Sequence, residues 1–279
     1  MHKKLATAIL LPTLFFAGTA TATVVSEIKS SYTGDYIWYE NDVRPGGMAS
    51  LEDLTGKGGN LETNSPYQNG AAKLTTGNDN SHKAEIGFSV KSGLGTLGTF
   101  INSGGQLGYD YHKSSTDIDK APAASIKLHI LDTSGIAPTV KYLVYEAYGN
   151  MPGNPVVDTW NTVDIDSGNG TFWHNGLFGE SNMAGNVAGG KTIADWATYF
   201  GDKFSDALIV GLSIGVGSYN LGQTAHFDGV EFQTKDHDLF YDFEAPQISA
   251  VPLPAALPLY GAGVALLGLM GWRRRKAAA

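Results

Sequence analysis

Several residue types that would point to particular chemistries are missing from this chain. Cysteine is absent from its 279 residues, which excludes disulfides, thiolate metal sites and cysteine nucleophiles. The two ends hold 6 of the 19 Lys+Arg and none of the 27 Asp+Glu, so the body between them carries a formal charge of −14. Arg44 is the one arginine of that body. An acidic body with a single arginine repels phosphate backbones, which argues against a nucleic-acid partner.

Motifs for the common hydrolytic mechanisms are missing as well. The sequence has no His-Glu-x-x-His metal motif, no Gly-x-Ser-x-Gly elbow and no strand-borne carboxylate pair of the sandwich glycosidases. Asp228 and Glu231 are three apart in a predicted strand, so their side chains point to opposite faces. We therefore predict a protein without catalytic residues, and an unrecognised hydrolase is the third-ranked alternative.

The N-terminus has the pattern of a secretory signal peptide. A basic start at Met1–Lys4 precedes an apolar run at Leu5–Gly18 and the small residues Thr19-Ala20-Thr21-Ala22. This pattern predicts a signal peptide over residues 1–22, with Ala20 and Ala22 at the cleavage site and the Sec translocon and signal peptidase as partners. The alternative is an N-terminal membrane anchor, for which the apolar run is short.

The C-terminus has three parts that together predict a membrane segment. A Pro-rich linker over residues 246–256 contains Val251-Pro252-Leu253-Pro254, whose prolines enforce an extended backbone. Residues 257–272 are apolar and uncharged, which predicts a transmembrane helix of about 24 Å at 1.5 Å per residue. The tail 273–279 contains Arg273, Arg274, Arg275 and Lys276, which the positive-inside rule keeps cytoplasmic.

This order of Pro motif, single span and basic cluster resembles the PEP-CTERM sorting signal. The resemblance covers Val251 to Lys276, with Leu253 where the family name describes a glutamate. It implies processing by an exosortase-type enzyme, and hence an inner-membrane-anchored intermediate that is then delivered to the cell surface or the extracellular matrix. An ordinary tail anchor is the alternative reading of the same residues.

The body, residues 23–245, has the period-2 pattern of β-strands. Apolar residues alternate with polar or small ones around 126–130, 208–217 and 238–243, and Gly-, Asn- and Asp-rich turns separate these runs. We predict an all-β antiparallel sandwich of the jelly-roll type. One short helix is predicted after Thr192, with Trp196 in the core and Gly201 at its end. Residues 158–232 resemble the jelly-roll modules of galactose-binding-like and concanavalin-like sandwiches.

The body also contains residues suited to binding. Trp38, Trp160 and Trp173 are candidate sugar platforms, although each is also suited to a sandwich core. Asp164, Asp166 and Asp228 are candidate ligands of a structural calcium, against the alternative of turn and strand hydrogen bonds. The leading functional prediction is a non-catalytic surface or matrix protein associated with exopolysaccharide. The alternative is a carbohydrate-binding module with a defined sugar site.

Overall fold

The computed structural model describes residues 22–67 and 69–246. The predicted signal peptide, sorting motif, transmembrane helix and basic tail lie outside these residues, apart from Ala22 and Pro246. The chain divides into two compact units, residues 1–245 and 246–279. No helix within the described residues is long and apolar enough to cross a membrane.

The described residues form two β-sheets, which we call sheet A and sheet B. Sheet A contains β1 (Thr23–Val25), β3 (Gly47–Asp53), β4 (Gly70–Thr76), β6 (Gln106–Lys113), β9 (Trp160–Ile165), β12 (Thr224–Gln233) and β13 (Asp238–Phe243). Sheet B contains β2 (Tyr39–Glu40), β5 (Lys83–Ser89), β7 (Ser125–Asp132), β8 (Thr139–Tyr145), β10 (Phe172–His174) and β11 (Leu208–Gly217).

Strand β12 is the centre of sheet A. One of its edges pairs with β6, and β6 pairs in turn with β9. Its other edge pairs with β4 through residues 224–227 and with β13 through residues 230–233. Sheet B runs in the order β10-β8-β7-β11-β5-β2. The all-β sandwich prediction is confirmed, with one departure: β1 pairs with β13 in parallel, whereas the other pairs of named strands are antiparallel.

The core lies between the two sheets and is built by the predicted alternation. In β11, Leu212, Ile214 and Val216 are buried in the apolar cluster, because successive side chains of a strand point to opposite faces. Trp38 lies at the centre of an aromatic group, with ring centroids 5.4 Å from Phe88 in sheet B and 4.8 Å from Phe243 in sheet A. Its exposed fraction is 2%. The suggestion that Trp38 is a sugar platform is therefore corrected, since its ring faces are occupied by core aromatics.

The predicted helix is present as Ile193–Phe200. The Thr192 hydroxyl accepts a hydrogen bond from the Asp195 backbone N–H at 3.1 Å, which caps the first turn. The Trp196 indole is buried and donates to the Phe172 carbonyl at 2.8 Å, tying the helix to β10.

The prediction of a single helix is wrong. Within the described residues there are five short α-helices: α1 (Gly59–Thr63), α2 (Leu97–Asn102), α3 (Ala147–Asn150), α4 (Ile193–Phe200) and α5 (Asp202–Ser205). The four that were missed have four to six residues each. Segments of that length cannot show two full turns of apolar spacing, and tertiary contacts stabilise them instead.

Candidate functional site

The outer face of sheet B has little side-chain bulk along its centre. We call this surface the glycine face, defined by Gly87 of β5 and by Gly211, Ser213, Gly215 and Gly217 of β11. A Cβ atom on Gly215 would lie 3.0 Å from the Cβ of Glu85, and one on Gly87 would lie 2.7 Å from the Cβ of Ser213. Small residues are therefore needed for Glu85 to lie across the face. Glycine and serine on this face allow a neighbour to approach closely, and here the Glu85 side chain of the neighbouring strand β5 takes the space.

Glu85 is the hub of a buried charged network on the glycine face. Its carboxylate accepts hydrogen bonds from Asn41 Nδ2 at 2.7 Å and from the Ser213 hydroxyl at 2.8 Å. The Lys83 ammonium lies 2.8 Å from Glu85 Oε2, and the Lys127 ammonium also contacts Oε2. Burial opposes ionisation of this carboxyl, but Lys127 and Lys83 outweigh it and hold the pKa of Glu85 well below its usual range. The carboxylate is therefore ionised and fully engaged.

His129 closes the network on the β7 side. Its Nε2 lies 2.9 Å from the Ser213 hydroxyl, and its ring meets Tyr142 edge to face with centroids 4.9 Å apart. Burial lowers the pKa of His129 to about 4, so the imidazole is neutral at physiological pH. Burial lowers the pKa of Lys127 as well, while Glu85 opposes that change. The positive charge of this surface accordingly resides on lysine ammonium groups and not on histidine.

A cleft of about 470 Å³ opens beside this network, and we call it the aromatic cleft. The lining residues that matter for recognition are Lys83, Lys127, Glu146, Tyr148, Trp173 and Tyr219. They come from β5, β7, the segment around α3, β10 and the loop after β11, which lie far apart in the sequence. Its volume is within the range of about 300–1,000 Å³ that is typical of small-ligand sites.

Aromatic side chains of the cleft are held in place by polar contacts. The Trp173 indole Nε1 donates to Glu146 Oε1 at 3.2 Å. Burial and the neighbouring Glu146 carboxylate raise the pKa of Tyr148 to about 12, so its hydroxyl stays protonated. Tyr219 has 75% of its surface exposed and a φ of 66°, and its backbone N–H donates to the Asn80 carbonyl at 2.9 Å. Trp173 and Tyr148 thus share one carboxylate, and Tyr219 presents its ring to solvent.

Two loops of the cleft are tied together beneath its surface by Lys113. This lysine is fully buried, and its ammonium donates to Asp117 Oδ2 at 2.8 Å, to the Asp119 carbonyl at 3.0 Å and to Gln223 Oε1 at 3.0 Å. The Asp119 carboxylate accepts from the Leu221 N–H at 2.5 Å. All three ammonium donors are therefore satisfied. The clamp links the loop before β7 to the loop before β12, which contribute Pro122 and Tyr219 to the cleft.

Among solved structures, the chain is similar to carbohydrate-binding modules. The family 11 module of the cellulosomal cellulase Lic26A-Cel5E of Clostridium thermocellum is 10% identical over 71% of this chain and 86% of its own, with a TM-score of 0.37. A family 30 module of the cellulosomal cellulase Cel9D-Cel44B of the same organism is 13% identical over 63% of this chain and 82% of its own, with a TM-score of 0.33. An exo-β-agarase structure is 14% identical over 74% of this chain and 25% of its own, with a TM-score of 0.33.

Sequence comparison adds nothing to this. No protein-family model matches the chain, and no curated protein matches it. The candidate site therefore rests on its own geometry.

The three predicted sugar-binding tryptophans lie in three different places. Trp173 lines the aromatic cleft, and Trp38 lies in the core. Trp160 lies on sheet A, where its indole donates to the Leu61 carbonyl at 3.1 Å and its ring lies 5.9 Å from that of His112. A second cleft of about 360 Å³ is lined by Leu61 and His112 there. Only Trp173 is brought together with other aromatics at a surface cleft.

The sequence reasoning missed most of the aromatic cleft. Tyr148 and Tyr219 lie in irregular or very short elements, where no strand parity indicates the direction of a side chain. Lys127 alternates with buried apolar residues, which marked it as outward-facing, but no pattern in the sequence placed it beside Lys83. The usable signal was the glycine run of β11, because a strand without bulk on one face leaves room for a groove.

The predicted calcium ligands Asp164 and Asp166 lie on β9 and in the turn that follows it. Asp166 Oδ1 accepts from the Gly168 and Asn169 backbone N–H groups at 2.6 and 2.9 Å, which is an ordinary Asp-capped turn. Asp164 is exposed on β9. Across the described residues, no three His, Cys, Asp or Glu side chains are grouped so as to hold a metal ion. The hydrogen bonds of Asp166 are those of a turn, which the sequence analysis gave as the alternative to calcium binding.

Asp228, the third predicted calcium ligand, is a fully buried carboxyl in β12. Its Oδ1 accepts from the backbone N–H groups of Gly229 at 2.7 Å and Phe243 at 2.8 Å, which links β12 to β13. Burial, reinforced by Asp242 and Glu244, raises the pKa of Asp228 to about 8 despite those hydrogen bonds. The structure therefore gives Asp228 a role as a largely protonated strand-to-strand link.

Proposed function

We propose that this chain is an exported, non-catalytic carbohydrate-binding protein and that the aromatic cleft is its sugar site. The observation that carries the proposal is the convergence of Trp173, Tyr148 and Tyr219 with charged and polar groups in one surface cleft. Sugars bind proteins by stacking their C–H faces on aromatic rings while their hydroxyls exchange hydrogen bonds with fixed polar groups. The cleft supplies both kinds of contact.

Preorganisation supports the same function. Glu146 fixes the Trp173 indole through a hydrogen bond of 3.2 Å, so little side-chain entropy remains to be lost when a sugar stacks on the ring. The Lys113 clamp fixes the two loops around Tyr219 in a similar way. These contacts hold the aromatic platform in place before a ligand arrives.

The charged groups of the cleft favour binding over hydrolysis. Among the described residues that line the cleft, Glu146 is the one carboxylate. Glu85 lies behind the surface and is saturated by two lysines, an asparagine and a serine. Glycosidases generally need two carboxyl groups that flank the scissile bond. This cleft offers one such group, already engaged by Trp173.

The sugar site is tested by replacing its platform. Full-length chain purified in mild detergent would be screened on a glycan array, and the best ligand titrated by calorimetry against wild type and Trp173→Ala. Stacking on an aromatic ring contributes about 1–3 kcal/mol, so the variant should bind at least fivefold more weakly.

Trp160→Ala is the matched control, since it removes a half-buried indole from the other sheet. Loss of binding in the control but not in Trp173→Ala would place the site on sheet A. If no glycan binds, the result would favour a purely structural role of the protein in the matrix.

Sorting of the protein to the surface is the second part of the proposal. It rests on the sequence of Val251–Pro254 and on the apolar and basic segments that follow. Pulse-labelling in hosts with and without an exosortase should show a smaller or released product only when the enzyme is present. Equal size and equal membrane retention in both hosts would indicate an ordinary tail anchor.

A further inference from the structure

We propose that the aromatic cleft selects anionic glycans, and specifically that Lys83 and Lys127 bind a sugar carboxylate such as that of a uronic acid residue. The inference rests on the proposed sugar-binding function and names the class of glycan. It comes from the way the buried charges of the glycine face are arranged toward the cleft.

The lysine ammonium groups have donors to spare. Within the described structure, Lys127 donates to Glu85, while Lys83 contacts both Glu85 and Asp42, the latter at 2.6 Å. An ammonium group carries three N–H donors, so donors remain on both lysines. Both side chains line the cleft. The Lys127 side chain is 13% exposed, and the Lys83 side chain is 11% exposed. The two ammonium-bearing side chains therefore border the space that a ligand in the cleft would occupy.

The charged residues that line the cleft are Lys83, Lys127 and Glu146, so its lining carries a net charge of +1, although the body as a whole is acidic. Behind the lining, the two lysines share the Glu85 carboxylate, and Arg44 pairs with Asp42. The two lysines face the cleft, whereas the Glu85 carboxylate that anchors them is 2% exposed. The ammonium groups of Lys83 and Lys127 therefore lie closer to a ligand in the cleft than the Glu85 carboxylate does.

The third charged group of the cleft has a different task. Glu146 is bound to the Trp173 indole and lies beside Tyr148, so it orients the aromatic platform. It also disfavours an anion placed next to it, because like charges in a partly buried cleft repel. We therefore expect the ligand carboxylate at the lysines and the sugar ring against the aromatics. A bound glycan would then have one defined orientation.

The decisive measurement compares matched ligands on the wild-type chain. Oligogalacturonate and oligoalginate would be titrated by calorimetry at about 0.15 M salt, each beside its methyl-esterified form, which keeps the size but loses the charge. A hydrogen bond to a charged group contributes enough for at least tenfold tighter binding of the acid. Equal affinity for acid and ester, or preference for neutral glucans, would overturn the inference while leaving the proposed function intact.

Variants assign the effect to the lysine. Lys127→Met keeps the length of the side chain and should reduce the preference for acid over ester, because Lys83 alone then faces the ligand carboxylate, while binding of the ester through Trp173 is retained. Lys235→Met is the control, because Lys235 is an exposed surface lysine paired only with Asp236 in the described structure. If Lys127→Met does not fold, the acid–ester comparison on wild type still decides. If no saccharide binds, charged or neutral, the proposed function itself fails.

Discussion

Replacing Lys113 by methionine tests how the cleft is supported from below. The change removes a fully buried ammonium group and keeps the length of the side chain. It leaves the Asp117 carboxylate, which is 1% exposed, without its cation, and it leaves the Gln223 amide oxygen without the ammonium donor, whereas the Asp119 carbonyl keeps a hydrogen bond from Gln223 Nε2 at 2.9 Å. Removal of one partner of a buried ion pair costs about 3–5 kcal/mol, because the other charge remains buried and uncompensated.

The assay is equilibrium unfolding in urea, followed by far-UV circular dichroism and supported by thermal melts. For a domain of this size, about 2–4 °C of melting temperature corresponds to 1 kcal/mol, so Lys113→Met should melt about 6–20 °C lower than wild type. Lys235→Met removes an exposed ammonium and should change the free energy of unfolding by less than about 0.5 kcal/mol.

A double variant separates the buried charge from simple loss of packing. Lys113→Met combined with Asp117→Leu removes both charges, so it should be less destabilised than the sum of the two single variants. Two results would refute the reasoning. One is a loss below about 1 kcal/mol in Lys113→Met, and the other is strict additivity in the double variant. Either would mean that the ammonium does not hold the two loops.

Three further predictions concern the fold. Asp228→Asn should flatten the pH dependence of stability: the raised pKa of about 8 means that folding retains a proton, so this contribution is complete below about pH 4 and is lost as the pH rises through 8. The difference in unfolding free energy between wild type and variant, measured from pH 4 to 9, checks this, and a constant difference would contradict it. Trp38→Ala should lower the free energy of unfolding by about 3–5 kcal/mol in urea titrations, because a buried indole is lost from between the sheets; a loss under 1 kcal/mol would show that the core can collapse around it. Thr192→Ala should cost about 1 kcal/mol through loss of the α4 cap, with Thr198→Ala as the exposed control, and equal losses in the two would argue against capping.

The two clefts illustrate why an aromatic residue is an ambiguous signal. Trp160 and Trp173 both follow turn-rich segments and both are half-buried. Trp160 donates its indole N–H to a backbone carbonyl of the α1 region, which ties that region to sheet A. Trp173 donates its indole N–H to a carboxylate at the wall of a surface cleft. The two indoles therefore differ in their hydrogen-bond partner, which is a backbone carbonyl for Trp160 and a carboxylate at a surface cleft for Trp173.

The sequence by itself determined the local structure. Period-2 alternation in 126–130 and 208–217 is a property of neighbours along the chain, and it correctly indicated strands, although the opposite face of β11 is also buried at Gly211, Ser213 and Gly215. The cap at Thr192 is also local, since the hydroxyl and the N–H it accepts from lie three residues apart. The export and sorting signals likewise depend on contiguous residues, and they stay predictions because they lie outside the described structure.

Only the tertiary structure decided which side chains meet. Alternation shows that a strand has two faces but not which sheet covers each face, so it could not tell that Trp38 is enclosed while Trp173 is accessible. The aromatic cleft joins positions from Lys83 to Tyr219, and the Glu85 network joins positions from Asn41 to Ser213. Such contacts depend on the pairing order β8-β7-β11-β5, which no local pattern encodes. The sequence contains no cysteine, so no disulfide contributes to stability, and the order of the strands determined where the aromatic cleft lies on the surface.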